Sequence, residues 1–292
     1  MKSFTDCNPI AIAIWFFCVT GMAMFCNYPI LVAISFIGAA AFFVMRNGLT
    51  HGKTHFFFII LFVILALANP LMSHNGVTVL FVLNDNPVTL EALLYGVNSA
   101  AMIVGVLYWF RSFTQIMTSE KLLYLTGAVS PKISLVLSMA LRFVPLFGKQ
   151  SRRINDAQTA MGLYKDDNIV DDIRGRMRVF SVLITWALEN GIITADSMAA
   201  RGYGSGRRTN MKRFTFSLQD IVIIALSISL MAVCAVSASK DSFDLVFYPA
   251  IKSKSPDTLG ICGLCAYFLM ILIPFVVETE VKLKWKYLRS GI

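Results

Sequence analysis

The chain has 292 residues, 57% of them hydrophobic and only 15% charged, with a formal net charge of +9. A soluble domain carries roughly 25% charged residues, so this composition excludes a water-soluble globular fold and points to a bilayer as the solvent. The positive excess is gathered in particular loops, which makes it a topological signal before it is a signal for nucleic acid.

Apolar runs able to cross or nearly cross a bilayer lie at 9–26, 29–45, 56–72, 92–110, 218–238 and 259–277. Spanning takes roughly 20 residues with a lower limit near 17, so the second and third runs are expected to be short or tilted. Only Asn27, Tyr28 and Pro29 separate the first two, which predicts a tight helical hairpin. No cleavable signal peptide is expected, because Asp6 precedes the first run and a second run follows almost at once.

The loops between runs carry the sidedness. The 46–55 loop holds Arg46 and Lys53, and the tail holds Lys282, Lys284, Lys286 and Arg289. Residues 111–217 contain sixteen Lys or Arg against eight Asp or Glu. Residues 73–91 have no Lys or Arg, only Asp85 and Glu91, and Lys240, Lys252 and Lys254 of 239–258 are offset by Asp241, Asp244 and Asp257. Six crossings put every basic loop on one side, and the positive-inside rule makes that side, with both termini, cytoplasmic. The expected fold is therefore an all-α integral membrane protein. A four-span block at 1–110 and a two-span block with a basic tail at 218–292 flank a cytoplasmic or interfacial helical region at 111–217.

Within that region, 115–127 reads as a short amphipathic stretch. Residues 132–148 are apolar but interrupted by Arg142 and Pro145. A full span there places Arg142 near mid-membrane, at a cost of about 2.5–3.5 kcal/mol on insertion scales. A helix that enters the membrane boundary and leaves it toward Arg152 and Arg153 fits better. Residues 149–164 are helix-forming and end at Gly162; a charged break from Lys165 to Arg178 follows. Residues 178–203 resume a helical pattern, with Phe180, Leu183, Ile184, Ala187, Leu188 and Ile192 spaced by threes and fours, and stop at a glycine-rich turn that begins with Gly202, Tyr203 and Gly204.

Signals for chemistry are weak. No Gly-x-x-x-x-Gly-Lys-Ser/Thr loop for nucleotide phosphates occurs, and the Gly202, Gly204, Gly206 series follows a helix where a phosphate cradle would precede one. Cys262 and Cys265 have redox or zinc spacing but sit in an apolar run without a second pair. His51 and His55 share a helix face with no third ligand nearby, and His74 stands alone. Arg207, Arg208, Lys212 and Arg213 immediately precede a span, where they read as lipid-facing anchors and not as a nucleic-acid surface. Asn69-Pro70 suits either a helix terminus or an unwound pore-lining turn. Neither a metal nor a cofactor is expected. Arg201 differs from the anchor cluster: Ala195, Ser197, Ala199, Ala200 and Gly202 strip bulk around it, so a partner's groove could approach closely.

The segment around Arg201 resembles the signature of the transmembrane T component of energy-coupling factor (ECF) transporters, the vitamin- and metal-importing branch of ABC transporters. The likeness is carried by Asp196 through Gly204, and by Leu141-Arg142-Phe143-Val144-Pro145 leading into the Arg152/Arg153 helix. The stretches Asn69–Thr78 and Asn86–Gly96 add to it. It covers about 60–215; the flanks match only as hydrophobic spans.

The resemblance implies two Ala-Arg-Gly-like motifs at the ends of two coupling helices, whose arginines dock in acidic grooves of two cytosolic ATPase subunits. The second motif is intact at Ala200-Arg201-Gly202; the first reads Ala160-Met161-Gly162. Either packing serves at Met161, or Arg152, Arg153 or Lys165 supplies the charge, and restoring Arg at 161 is expected to be tolerated or to tighten that contact. The implied subunit is non-catalytic and passes ATP-driven motion to a substrate-binding membrane S component that delivers a vitamin or metal ion. The rival reading is a stand-alone secondary transporter or channel. It needs ionisable residues along a pathway, and Glu91 and Asp220 lie only at span edges. An intramembrane enzyme lacks a clustered catalytic set.

Overall fold

A computed structural model of the chain describes residues 3–48, 52–72, 76–83, 86–163, 169–204, 214–240, 245–247, 252–253 and 257–290. Among these the chain forms α1 (Pro9–Phe25), α2 (Pro29–Asn47), α3 (Gly52–Met72), α4 (Leu90–Ile116), α5 (Ser119–Val129), α6 (Pro131–Ala160), α7 (Ile169–Ala200), α8 (Leu218–Ser239) and α9 (Thr258–Ser290). Two short antiparallel pairs sit in the connections: β1 (Val79–Leu83) with β2 (Asn86–Thr89), and β3 (Leu245–Val246) with β4 (Lys252–Ser253). The all-α class holds, and each of the six predicted apolar runs lies on a helix.

Among the described residues, seven helices are long and apolar enough to cross a membrane: α2, α3, α4, α6, α7, α8 and α9, with α1 a shorter apolar helix of 17 residues. The chain is a multi-pass membrane protein. Two members of this set, α6 and α7, come from the region read as cytoplasmic or interfacial. Their apolar stretches reach span length because helix continues across features that looked like breaks. Pro145 lies inside α6, and α7 begins at Ile169, nine residues before the pattern that sequence periodicity picks out. Likewise Pro70 lies inside α3 and does not end it.

The chain divides into two compact units, Met1–Thr118 with Phe214–Ile292, and Ser119–Arg213. In the first, lipid tails are as apolar as leucine, so helix association rests on close packing and interhelical hydrogen bonds. Trp15 sits in an aromatic cluster with Phe4, Phe16, Phe42 and Trp109, ring centroids 4.8–6.2 Å apart. Its indole N–H donates to the Met270 carbonyl at 2.9 Å, tying α1 to α9. Trp109 donates to Ser35 Oγ at 3.2 Å, and Tyr267 O–H to the Val19 carbonyl at 3.2 Å.

Both span-edge carboxylates belong to this framework. Asp220, fully buried, closes a capping box with Ser217 at the start of α8 and also accepts the Asn8 backbone N–H at 2.8 Å, where α1 starts. Glu91, buried, accepts the Thr78 hydroxyl and the Thr78 N–H, anchoring the β1–β2 hairpin to the first turn of α4. Neither carboxylate is left to line a transport pathway.

Gly96 on α4 marks a close approach to the backbone of α3. A Cβ there would lie 2.6 Å from the Ala66 carbonyl oxygen, 3.2 Å from Asn69 Cβ and 3.3 Å from Pro70 Cδ. Pro70 has no N–H to donate to that carbonyl four residues back, and the missing glycine side chain lets α4 sit against the freed turn. Gly96→Val is expected to push α3 and α4 apart and destabilise by about 1–3 kcal/mol, read as a lowered unfolding midpoint in detergent. Gly105→Ala is the control, since its Cβ would meet Phe36 Cα at an ordinary 3.4 Å.

The second unit is α5, α6 and α7. Ser134 Oγ donates to the Leu123 carbonyl at 3.2 Å across the Ser130-Pro131 turn. Phe143 and Phe147 stack at 5.6 Å, and Phe147 meets Trp186 of α7 edge-on at 5.9 Å. Asp171 and Asp172 occupy the first turn of α7, where the helix dipole favours negative charge. Their exposed pairs with Arg174 (3.8 Å) and Arg176 (3.0 Å) add roughly 0–1 kcal/mol each.

Candidate coupling site at two matched helix ends

The end of α6 and the end of α7 are built alike, hydrogen bond for hydrogen bond. At α6, Gly162 takes a left-handed φ of 68° and its N–H donates to Thr159 O at 3.0 Å, while Leu163 N–H reaches back to Gln158 O at 3.2 Å. At α7, Gly202 takes φ 76°, its N–H donates to Ala199 O at 2.9 Å, and Tyr203 N–H reaches Met198 O at 3.0 Å. This double closure satisfies carbonyls that a helix end otherwise leaves open. It needs a residue that accepts positive φ at little cost, which is why glycine stands at 162 and 202.

The cap residue between each helix and its glycine is thereby held in one fixed setting: Met161 after α6 and Arg201 after α7. Both are exposed, Met161 to 67%, with Leu163 (43%) and Tyr203 (45%) beside them and the small Ala160 and Ala200 behind. The match extends to sequence. Asp156 and Asp196 each stand five residues before the capped position, so Asp-x-x-x-Ala-x-Gly occurs twice, 40 residues apart. The resemblance pairs Ala160-Met161-Gly162 with Ala200-Arg201-Gly202 but leaves out Asp156 and Leu163; alignment of the two stretches on their terminal glycines would have exposed both.

The remaining site residues are distributed along the helices. Tyr203 belongs to the α7 closure itself, and Gly204 follows it with φ 94°. Arg152 and Arg153 lie on α6 nine and eight residues before Met161, roughly 12–13 Å away at 1.5 Å per residue. Arg152 faces an open cleft of about 650 Å³ between α6 and α7, with Asn155, Asp156, Thr159, Asp172 and Arg176. Arg142 and Pro145 are farther still, roughly 24–28 Å back along α6, and exposed. Lys165, Gly206 and the anchor residues Arg207, Arg208, Lys212 and Arg213 lie outside the described residues, as do His51 and His74. His55 Nδ1 sits 3.2 Å from Tyr108 O–H, and Cys262 and Cys265 are free and exposed on α9. Among the described residues no three His, Cys, Asp or Glu side chains group to hold a metal.

Residues 3–212, well over half of the chain, match the CbiQ family, described as cobalt transport protein. The chain belongs to the CbiQ family. This CbiQ-family chain is 34% identical over 105 residues to the energy-coupling factor transporter transmembrane protein EcfT of Streptococcus thermophilus, covering 34% of this chain and 40% of that one. It is 23% identical over 198 residues to EcfT of Ruminiclostridium cellulolyticum, covering 54% and 74%. It is also 26% identical over 216 residues to a putative ABC transporter ATP-binding protein of Bifidobacterium longum, a match that takes in 70% of this chain but 24% of that protein. The chain thus spans well under half the length of the first and last of these relatives. The CbiQ match begins at residue 3, just before α1 and far ahead of the 60–215 stretch that carries the motif resemblance, and ends before α8.

Proposed function

We propose that this chain is the transmembrane coupling subunit of an ECF importer. In this reading the ends of α6 and α7 dock on two cytosolic ABC ATPases, and motion driven by ATP passes through the α6–α7 unit to a membrane S component that carries a vitamin or metal ion. The observation that carries the proposal is the pair of matched helix closures, each presenting one exposed side chain at the same position. A capped helix end holds a docking residue with little rotational slack, and a long lever transmits displacement better than a loop does. The names of the EcfT relatives support it. So does the Bifidobacterium protein, which bears an ATP-binding name and contains a stretch similar to most of this chain.

The chain does no chemistry of its own in this scheme and needs no cofactor. Both termini and the 111–217 region lie on the cytoplasmic side, by the distribution of Lys and Arg, and the basic residues before α8 hold that side to the lipid surface. Substrate choice rests with the S component.

The test is co-expression of the tagged chain with the two ATPases encoded nearest to it. Both ATPases are expected to co-purify, and absence of both would overturn the proposal. Purified alone, the chain is expected to turn over no ATP; turnover that follows the protein through successive columns would contradict a non-catalytic role.

A further inference from the structure

We infer that the end of α6 docks in an apolar socket, unlike the acidic groove that suits the end of α7, so that the two ATPase surfaces this chain meets differ at the contact point. The inference rests on the proposed coupling role and assigns the partner chemistry of one half of it.

The two helix ends share their backbone closure, the glycine, the preceding alanine and the aspartate five residues before the capped position. What differs is the side chain on display. At α7 it is Arg201 with Tyr203, a guanidinium beside a ring that carries its own hydroxyl. At α6 it is Met161 with Leu163, two exposed apolar side chains two residues apart. Because the closures match, Met161 occupies the position on α6 that Arg201 occupies on α7, and a socket would meet thioether and methyl groups there.

A carboxylate placed to receive arginine would be desolvated against Met161 with no partner, which is costly. Methionine, flexible and polarizable, fills apolar sockets of irregular shape. A substitute cation along α6 is too far away: Arg153 and Arg152 lie roughly 12–13 Å back, and Arg152 faces the cleft shared with α7. Two copies of one surface, each meeting its helix end in the same way, would offer Met161 and Arg201 the same socket, and no single socket suits both. The expectation that arginine is welcome at 161 is therefore reversed.

The experiment uses the full complex, with the two ATPases carrying different tags. Met161→Leu is expected to keep both ATPases at wild-type levels, and Met161→Arg to weaken the α6-side contact by about tenfold or more. A photo-crosslinking benzoylphenylalanine at 161 is expected to label an ATPase peptide without Asp or Glu at the adduct, and the same group at 201 a peptide rich in them. Because Met161 is exposed at a helix end, these variants should fold, which elution volume in detergent checks. Wild-type-like binding of Met161→Arg, adducts from both positions in equivalent acidic grooves, or loss of the α6-side ATPase on Lys165→Glu but not on Met161→Arg would each overturn the apolar socket. In all three cases the coupling role stands. If the wild type binds no ATPase, the coupling role falls and the socket with it.

Discussion

Arg201→Glu is expected to cost this chain its α7-side ATPase while leaving its fold intact. Arg201 is exposed immediately after a helix whose closure is made by backbone atoms of Met198, Ala199, Gly202 and Tyr203. Its side chain contributes little to holding that closure, so the change falls on binding. Removing one partner of a partly buried charge pair costs about 3–5 kcal/mol, because the other charge is left unpaired, and each 1.4 kcal/mol is about tenfold in affinity. Charge reversal adds repulsion, so a loss of at least about 100-fold is expected, read as disappearance of that ATPase from a pull-down through a tag on this chain. Arg201→Lys is expected to fall between the two, since it keeps the charge and loses the two-pronged geometry of guanidinium on carboxylate. Normal recovery of both ATPases with Arg201→Glu would remove Arg201 from the interface.

Asp220→Ala has the second large expected effect, on stability instead of binding. The Asp220 carboxylate is fully buried and accepts hydrogen bonds from Asn8 N–H at 2.8 Å, Ser217 N–H at 2.8 Å and Ser217 O–H at 2.9 Å. The two Ser217 bonds close the start of α8; the Asn8 bond joins α8 to the start of α1, 212 residues away in the chain. Hydrogen bonds to a charged group contribute about 1.5–3 kcal/mol each. Alanine leaves the buried Asn8 N–H and the part-buried Ser217 N–H, at the starts of two helices, without this acceptor, so a loss of about 3–5 kcal/mol and a clearly lowered unfolding midpoint in detergent are expected. Ser217→Ala removes only the cap and should cost about 1 kcal/mol. If the two variants unfolded at the same temperature, the Asn8 link would carry no weight.

Much of the fold is legible in the residues because spanning a bilayer is a property of one short stretch at a time. A run of about 20 apolar residues meets the thickness of the hydrocarbon core wherever it lies in the chain. Each of the six apolar runs accordingly lies on a helix, and the Asn27-Tyr28-Pro29 hairpin turn falls between α1 and α2. The helix stops at Gly162 and Gly202 are equally local, since left-handed φ is a property of the glycine alone. Reading went astray at the charged stretch from Lys165 to Arg178, which looks like a break. Yet α7 begins at Ile169 and takes in Asp171 and Asp172 as favourable first-turn charges, while α6 continues through Pro145 toward Arg152 and Arg153 as expected.

The candidate site divides the same way. That Arg201 ends a helix could be read from Ala-Arg-Gly and the glycines that follow. That Ala160-Met161-Gly162 ends a matching helix is implied by the resemblance as well; that the two ends close through the same pattern of N–H and carbonyl groups could not be read. Arg152, Arg153, Arg142 and Pro145, grouped with the motif on resemblance, are spread along α6 by the rise of the helix.

What the sequence by itself determined is membrane character, the position of its apolar helices and the identity of the residues at two helix ends, all set by contacts within a few residues. Only the tertiary structure decided that the helical region forms a unit of its own at Ser119–Arg213, that its two long helices end in matched closures, and that the edge carboxylates bind the framework together. Those features depend on groups up to 212 residues apart meeting in space, and no local pattern of apolar and polar residues encodes which distant donor a buried carboxylate will find.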